Sequence, residues 1–132
     1  MSSTRTNPAL APILLIEDEP SVSAFVRAAL ERKGYRVVQA STGAEGLHHL
    51  ATETYAGVIT DIRMPGDVNG ADVHQWIQHH RPELGDRIIL ISGDTANSET
   101  QSLLSGSTTP CIEKPFRVQQ LISTVEKTFG KP

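Results

Sequence analysis

Short apolar runs alternate along this chain with stretches whose apolar residues recur at helical spacing, and that alternation constrains the fold more than any other feature. Ile13-Leu14-Leu15-Ile16 is a continuous apolar run, as expected of a strand covered on both faces. Val22, Phe25, Val26, Ala29 and Leu30 then fall on one helical stripe, with Gly34 placed to stop the helix. The pattern repeats. Tyr35 to Ala40 reads as a second strand, and Ser41-Thr42-Gly43 leads into a helix carrying Ala44, Leu47 and Leu50. Val58 to Asp61 is the third strand, and after the Pro- and Gly-punctuated loop from Met64 to Gly70, Val73, Trp76 and Ile77 mark a helix that Pro82 closes. Arg87 to Ile91 is the fourth strand, followed at about 95 to 105 by a weak, polar helix with Leu103 and Leu104. Thr109 to Glu113 is the fifth, and Val118, Leu121, Ile122, Val125 and Phe129 form the best amphipathic helix in the chain. Five strand–helix pairs in this order predict an α/β fold, with βαβ units wound around a parallel sheet.

The chain has 132 residues, enough for one domain with a core of its own. That domain is expected over residues 12–130. Residues 1–11, rich in Ser, Thr and Pro at their start, read as a flexible lead-in or linker remnant. No room is left for an output domain. Twelve Lys and Arg against fifteen Asp and Glu give a formal charge of −3, which speaks against a nucleic-acid footprint. Without an apolar leader and with a single cysteine, Cys111, the sequence reads as cytoplasmic and not inserted in a membrane.

In an open parallel sheet, ligands bind outside the carboxyl ends of the strands. Those ends are unusual here. The first strand ends in Glu17-Asp18, the third in Asp61 and the fourth in Ser92, while the fifth runs into Lys114-Pro115. Carboxylates brought this close raise one another's pKa unless a cation compensates, and Mg2+ suits one or two carboxylates with phosphate oxygens. A carboxylate beside a metal and an ammonium can act as a nucleophile towards phosphorus. Asp61 is the best nucleophile by position, Glu17 and Asp18 the better metal-holding pair, and Ser92 is placed to bond a phosphoryl oxygen. Each of these residues alone has an ordinary reading, as helix cap, turn or strand stop. The functional reading rests on the set.

That set resembles the receiver domains of two-component response regulators, over about residues 12 to 129. Glu17-Asp18 after an apolar strand, Asp61 in Thr-Asp-Ile-Arg-Met-Pro, Ser92 in Ile-Ser-Gly and Lys114 in Glu-Lys-Pro-Phe stand in the family's order and at closely similar separations. The resemblance implies a flavodoxin-like, doubly wound (βα)5 fold with a five-stranded parallel sheet in order 2-1-3-4-5. It implies that Asp61 accepts a phosphoryl group from a histidine kinase or a histidine phosphotransfer domain, with only self-directed phosphorylation and dephosphorylation. It implies Mg2+ held by Asp18, Asp61 and the backbone carbonyl of Arg63, with Glu17 acting through water. Ser92 would be the switch hydroxyl, Lys114 would contact the phosphoryl group, and the bond before Pro115 would be cis. Where the family usually carries an aromatic switch residue, three before the lysine, this chain has Cys111. The Met64–Gly70 loop and the motifs around Ser92 and Lys114 resemble receivers of hybrid sensor kinases; a single-domain response regulator is the alternative. The downstream partner is not legible, and dimerisation through the last two helices and strand five is left open.

Two other function classes are expected to lose. An Asp-dependent phosphatase of the dehalogenase type carries Asp-x-Asp, and Asp61-Ile62-Arg63 lacks the second acid. A degenerate receiver that only binds a partner is supported by Cys111 alone. The histidines include two adjacent pairs, His48-His49 and His79-His80, whose members diverge by about 100° on a helix and so cannot chelate together easily. Cys111 reads as a small buried thiol.

Overall fold

All five strands run parallel, each hydrogen-bonded in register to its neighbours in one sheet. The structure is a computed structural model that describes residues 11–64, 66–93 and 108–132. Its elements are β1 (Ile13–Ile16), α1 (Pro20–Arg32), β2 (Val37–Ala40), α2 (Gly43–Thr52), β3 (Gly57–Asp61), α3 (Gly70–His80), β4 (Ile88–Ser92), β5 (Cys111–Glu113) and α4 (Val118–Phe129). The sheet order is β2-β1-β3-β4-β5, the doubly wound arrangement expected from sequence. The polar helix expected at 95–105 and residues 1–10 of the expected lead-in lie outside the described residues.

Period-2 alternation splits the strand side chains between two cores. Ile13, Leu15, Ile59, Ile89, Ile91 and Ile112 face α1 and α4, where they meet Val26, Leu30, Leu121, Val125 and Phe129. Leu14, Ile16, Val58, Ile88 and Leu90 face the other way, against Leu50 of α2 and Val73 and Ile77 of α3. Most of these residues have no exposure at all. Full burial of an aliphatic side chain is worth roughly 1.5–3 kcal/mol, so these two cores are the main source of the sheet's stability. Among the described residues no helix is long and apolar enough to cross a membrane.

Local chemistry sets the helix ends. Thr42 Oγ1 accepts the Glu45 N–H at 3.0 Å to start α2, and Asn69 and Asp72 exchange side-chain-to-backbone bonds in a capping box that starts α3. At the far ends, Arg81 donates to the carbonyls of Leu50 and Glu53, covering the last turn of α2. The molecule closes at the amino edge of the sheet. There Arg87 donates to the Phe129 carbonyl at 2.8 Å and Tyr35 O–H to the Gly130 carbonyl at 2.6 Å.

Three expectations of detail are corrected. The second strand starts at Val37, not Tyr35, because Gly34 turns the chain at φ 101° and Tyr35 then serves the C-terminus instead of the ladder. The fifth starts at Cys111, not Thr109: Pro110 has no N–H to give a ladder, and only its carbonyl bonds Leu90 N–H. Phe25 is not on the inward stripe of α1. It is 41% exposed, and the buried position goes to Ser23, which accepts a hydrogen bond from the Gln39 amide.

Candidate functional site

The ladders of the sheet carry the chemistry to one edge. Beyond the last paired residues, Glu17 N–H donates to Ala40 O at 3.0 Å, Ile62 N–H to Ile91 O at 2.9 Å, and Lys114 N–H to Ser92 O at 2.7 Å. Glu17, Asp61, Ser92 and Lys114 are therefore fixed by strand backbone, not by loop conformation. Glu17, Asp61 and Ser92 are each less than 5% exposed. The start of α3 comes up close beneath: Gly70 N–H donates to Ile62 O at 2.8 Å, and a Cβ on Gly70 would lie 2.2 Å from Asp61 O. Only glycine fits there.

Lys114 is the hub. Its Nζ lies 2.6 Å from Asp61 Oδ2, 2.8 Å from Glu19 Oε1 and 3.2 Å from Glu17 Oε1. The other Asp61 oxygen, Oδ1, accepts the Arg63 N–H at 3.1 Å, and Glu17 Oε2 accepts the Glu19 N–H at 3.1 Å. Glu17 Oε1 is the exception. It is buried and at ion-pair distance from the ammonium, yet no donor among the described residues is aligned to bond it.

Electrostatics follow from that crowding. Burial pushes the Glu17 carboxyl up to about 7; the Asp61 charge adds to the rise, while the Glu19 N–H and Lys114 oppose it. Burial alone would lower the Lys114 pKa, but hydrogen bonds to Asp61 and Glu19 and the charges of Asp61 and Glu17 outweigh it and raise it. Glu17, Glu19 and Asp61 each bring a carboxylate oxygen within 4.8 Å of the others. Three carboxylates around one ammonium leave an excess of negative charge and one unbonded oxygen. An all-oxygen donor set of that kind fits a hard divalent cation such as Mg2+.

The expected residues are distributed as follows. Glu17, Asp61 and Lys114 meet directly, and Ser92 lies buried at the adjoining strand end. Asp18 is half-buried and faces a groove it shares with Ser23, Arg27 and Gln39; its carboxylate is not one of the close three. Glu19, which sequence reasoning passed over, is. Cys111 is half-buried against the α2/α3 core, and burial, together with the charges of Glu113 and Asp61, pushes its thiol up, as expected of a packing residue rather than a reactive one. The Lys114–Pro115 bond is cis, as the resemblance implies. Beside the acidic cluster, an apolar cleft of about 460 Å³ is lined by Ser21, Val22, Phe25, Lys114, Pro115 and Phe116, with the Phe25 and Phe116 rings 5.9 Å apart.

Known proteins resemble this chain in sequence and in fold. The response regulator receiver protein CpdR of Brucella abortus is 30% identical over 115 residues, covering 87% of this chain and 93% of that protein. The transcriptional regulatory protein KdpE of Mycobacterium tuberculosis is 32% identical over 111 residues, but the chain spans only 47% of its length. Among solved structures, the response regulator TrrA of Thermotoga maritima, in complex with Mg2+ and BeF, superposes with a TM-score of 0.76 at 30% identity, covering 89% of this chain and 98% of that one. The sequence profile of the response regulator receiver domain matches residues 13–126. The chain belongs to the response regulator receiver domains, phosphoacceptors of two-component signalling.

Proposed function

We propose that Asp61 is the phosphoacceptor, and that the donor is a phosphohistidine on a histidine kinase or a histidine phosphotransfer domain. The observation that carries this reading is the 2.6 Å contact between Lys114 Nζ and Asp61 Oδ2, on a carboxylate that is nearly buried yet stands at the open end of β3. A lone pair of Asp61 attacks the phosphorus. The P–N bond breaks, its electron pair stays on the imidazole nitrogen, and that nitrogen takes a proton from solvent. The product is an acyl phosphate on Asp61. Attack of water on its phosphorus later returns the carboxylate and releases phosphate, so the chemistry is directed at the domain itself.

The chain's residues have separate tasks. Lys114 holds the Asp61 carboxylate in place through its Oδ2 and meets the negative charge that gathers on the transferring oxygens. Ser92 supplies the switch hydroxyl that bonds a phosphoryl oxygen, and Cys111 occupies the second switch position with a side chain too small to act as a rotating ring. Asp18, Asp61 and the Arg63 carbonyl would hold Mg2+, with Glu17 acting through water; Mg2+ has an unbonded Glu17 oxygen and an uncompensated negative charge to favour it here. When bound, the ion supplies further charge neutralisation at the phosphoryl oxygens. TrrA's complex with Mg2+ and BeF supports the same assignment. The apolar cleft around Phe25 and Phe116 opens next to Lys114 and gives the donor protein a surface to dock on. Output then follows from the changed charge at the strand ends, which biases the neighbouring loops between two arrangements.

Intact-mass measurement after incubation with Mg2+ and acetyl phosphate tests the reading. One phosphoryl addition is expected on the wild type, and none on Asp61→Asn or without Mg2+. Equal labelling of Asp61→Asn would remove Asp61 from the role.

A further inference from the structure

Lys114 has three N–H donors, and three carboxylate oxygens surround them, from Asp61, Glu19 and Glu17. The ammonium hydrogen-bonds Asp61 Oδ2 and Glu19 Oε1 and stands at ion-pair distance from Glu17 Oε1 before any phosphoryl group arrives. A phosphoryl oxygen that approaches the ammonium competes with these three for it. Asp61 is the group being phosphorylated, and Glu17, whose side chain is wholly buried, is held by the Glu19 N–H. Glu19 is the one member of the set with freedom to leave: its side chain is 56% exposed, and its carboxylate is fixed by the Lys114 contact alone among the bonds described.

We infer that Glu19 is a positioning residue that acts through Lys114, holding the ammonium at the mouth of the site in competition with the phosphoryl group. The inference rests on Asp61 being the phosphoacceptor. While Glu19 keeps its hold, Lys114 is shared between the acidic rim and the reacting centre. When phosphoryl charge builds up on Asp61, the Glu19 pair breaks and the freed carboxylate turns into solvent. The Glu19 pair thus opposes phosphorylation and sets how readily the site accepts a donor. Its position in the chain supports this function. Glu19 precedes Pro20, the first residue of α1, and does not cap that helix with its side chain. Its carboxylate is thus free of the helix-starting task that an acid at this place ordinarily serves.

The reach to Lys114 can be separated from simple charge. Glu19→Gln removes the charge, whereas Glu19→Asp keeps the charge at the same point of the chain but shortens the arm by one methylene. Phosphorylation rates with acetyl phosphate and Mg2+ would be measured for wild type, both variants, Lys114→Ala and the double variant Glu19→Gln/Lys114→Ala. Both single Glu19 variants are expected to be phosphorylated faster, by about two- to fivefold, the range to which a half-exposed ion pair converts. In the Lys114→Ala background the Glu19→Gln effect is expected to vanish, which is the mark of coupling between the two residues. Melting temperatures of the two single Glu19 variants, which a merely structural role would move, are expected to stay close to wild type. Three results overturn the inference: unchanged rates in both Glu19 variants; acceleration by Gln but not by Asp, which would make Glu19 a repulsive charge only; or the same acceleration with and without Lys114. A wild type that takes up no phosphoryl group, or labels equally as Asp61→Asn, would instead fail at the phosphoacceptor, and the inference would fall with it.

Discussion

Lys114 Nζ and Asp61 Oδ2 lie 2.6 Å apart although 53 residues separate them in the chain. Their strands are not neighbours. β4 stands between β3 and β5 and binds both, through Ile62 N–H to Ile91 O and Lys114 N–H to Ser92 O. The ion pair therefore spans the end of β4, and its geometry is set by sheet hydrogen bonds that the hydrophobic cores keep in register.

Removing the ammonium should expose the cost of the carboxylates it gathers. Lys114→Ala leaves Glu17, Glu19 and Asp61 facing one another, and its stability to urea is expected to fall by about 2 kcal/mol, below the figure for a fully buried pair because Glu19 is solvated. A urea midpoint equal to that of wild type would show that Lys114 contributes nothing net to the fold.

The buried Glu17 gives stability a pH dependence of definite sign. Its carboxyl sits at about 7 in the fold against an ordinary 4.5. Between these values the folded state keeps a proton that the unfolded state has released, so stability is highest below the lower value and falls as pH rises towards the higher one. Urea unfolding from about pH 5 to about pH 8 without divalent cation should show that decline, and Glu17→Gln should flatten it. A variant with the same slope as wild type would assign the decline to another group.

Gly70 connects packing to chemistry. A Cβ there would lie 2.2 Å from Asp61 O and 2.6 Å from Ile62 Cα, both backbone atoms. Gly70→Ala must push the start of α3 away from the end of β3, at a cost of roughly 1–3 kcal/mol, and should slow phosphorylation of Asp61 more than a substitution of equal cost in the distant core. Leu30→Ala in the α1/α4 core, which costs at least as much at about 2–5 kcal/mol, provides the control; equal phosphorylation rates in the two variants would separate the α3 contact from the site.

Much of the site was legible because it stands at strand ends. An apolar run that stops at a carboxylate, a hydroxyl or a lysine announces both a strand and its exit, and Glu17, Asp61, Ser92 and Lys114 were found that way. Glu19 was not, because nothing in a turn before Pro20 signals which way a flexible side chain will reach; its importance appears only when Lys114 arrives from the other end of the chain. Asp18 shows the converse. It is adjacent to Glu17 in sequence, but the chain leaving β1 turns it towards Ser23, Arg27 and Gln39 rather than into the close carboxylate group. Helical periodicity placed α1 correctly but not its rim. Phe25 lies at the edge of the apolar stripe and meets the Phe116 ring at a tilt, while Ser23 is buried because the Gln39 amide satisfies its hydroxyl. Tyr35 has the composition of a strand residue but is turned to the C-terminus by the chain reversal at Gly34.

The two ends of α4 are held very differently. Phe129 lies over Gly57 with no room for a Cβ between them, and Arg87 and Tyr35 grip the carbonyls that follow. At the other end the chain enters the helix directly from Lys114, Pro115 and Phe116, with Val118 exposed. The helix is a spoke whose last turn is anchored at the rim farthest from Asp61 and whose first turn follows directly on the hub at Lys114. A protein that grasps its last turn touches the end of the helix remote from Lys114, whereas one that grasps its first turn holds the segment that leads out of the site.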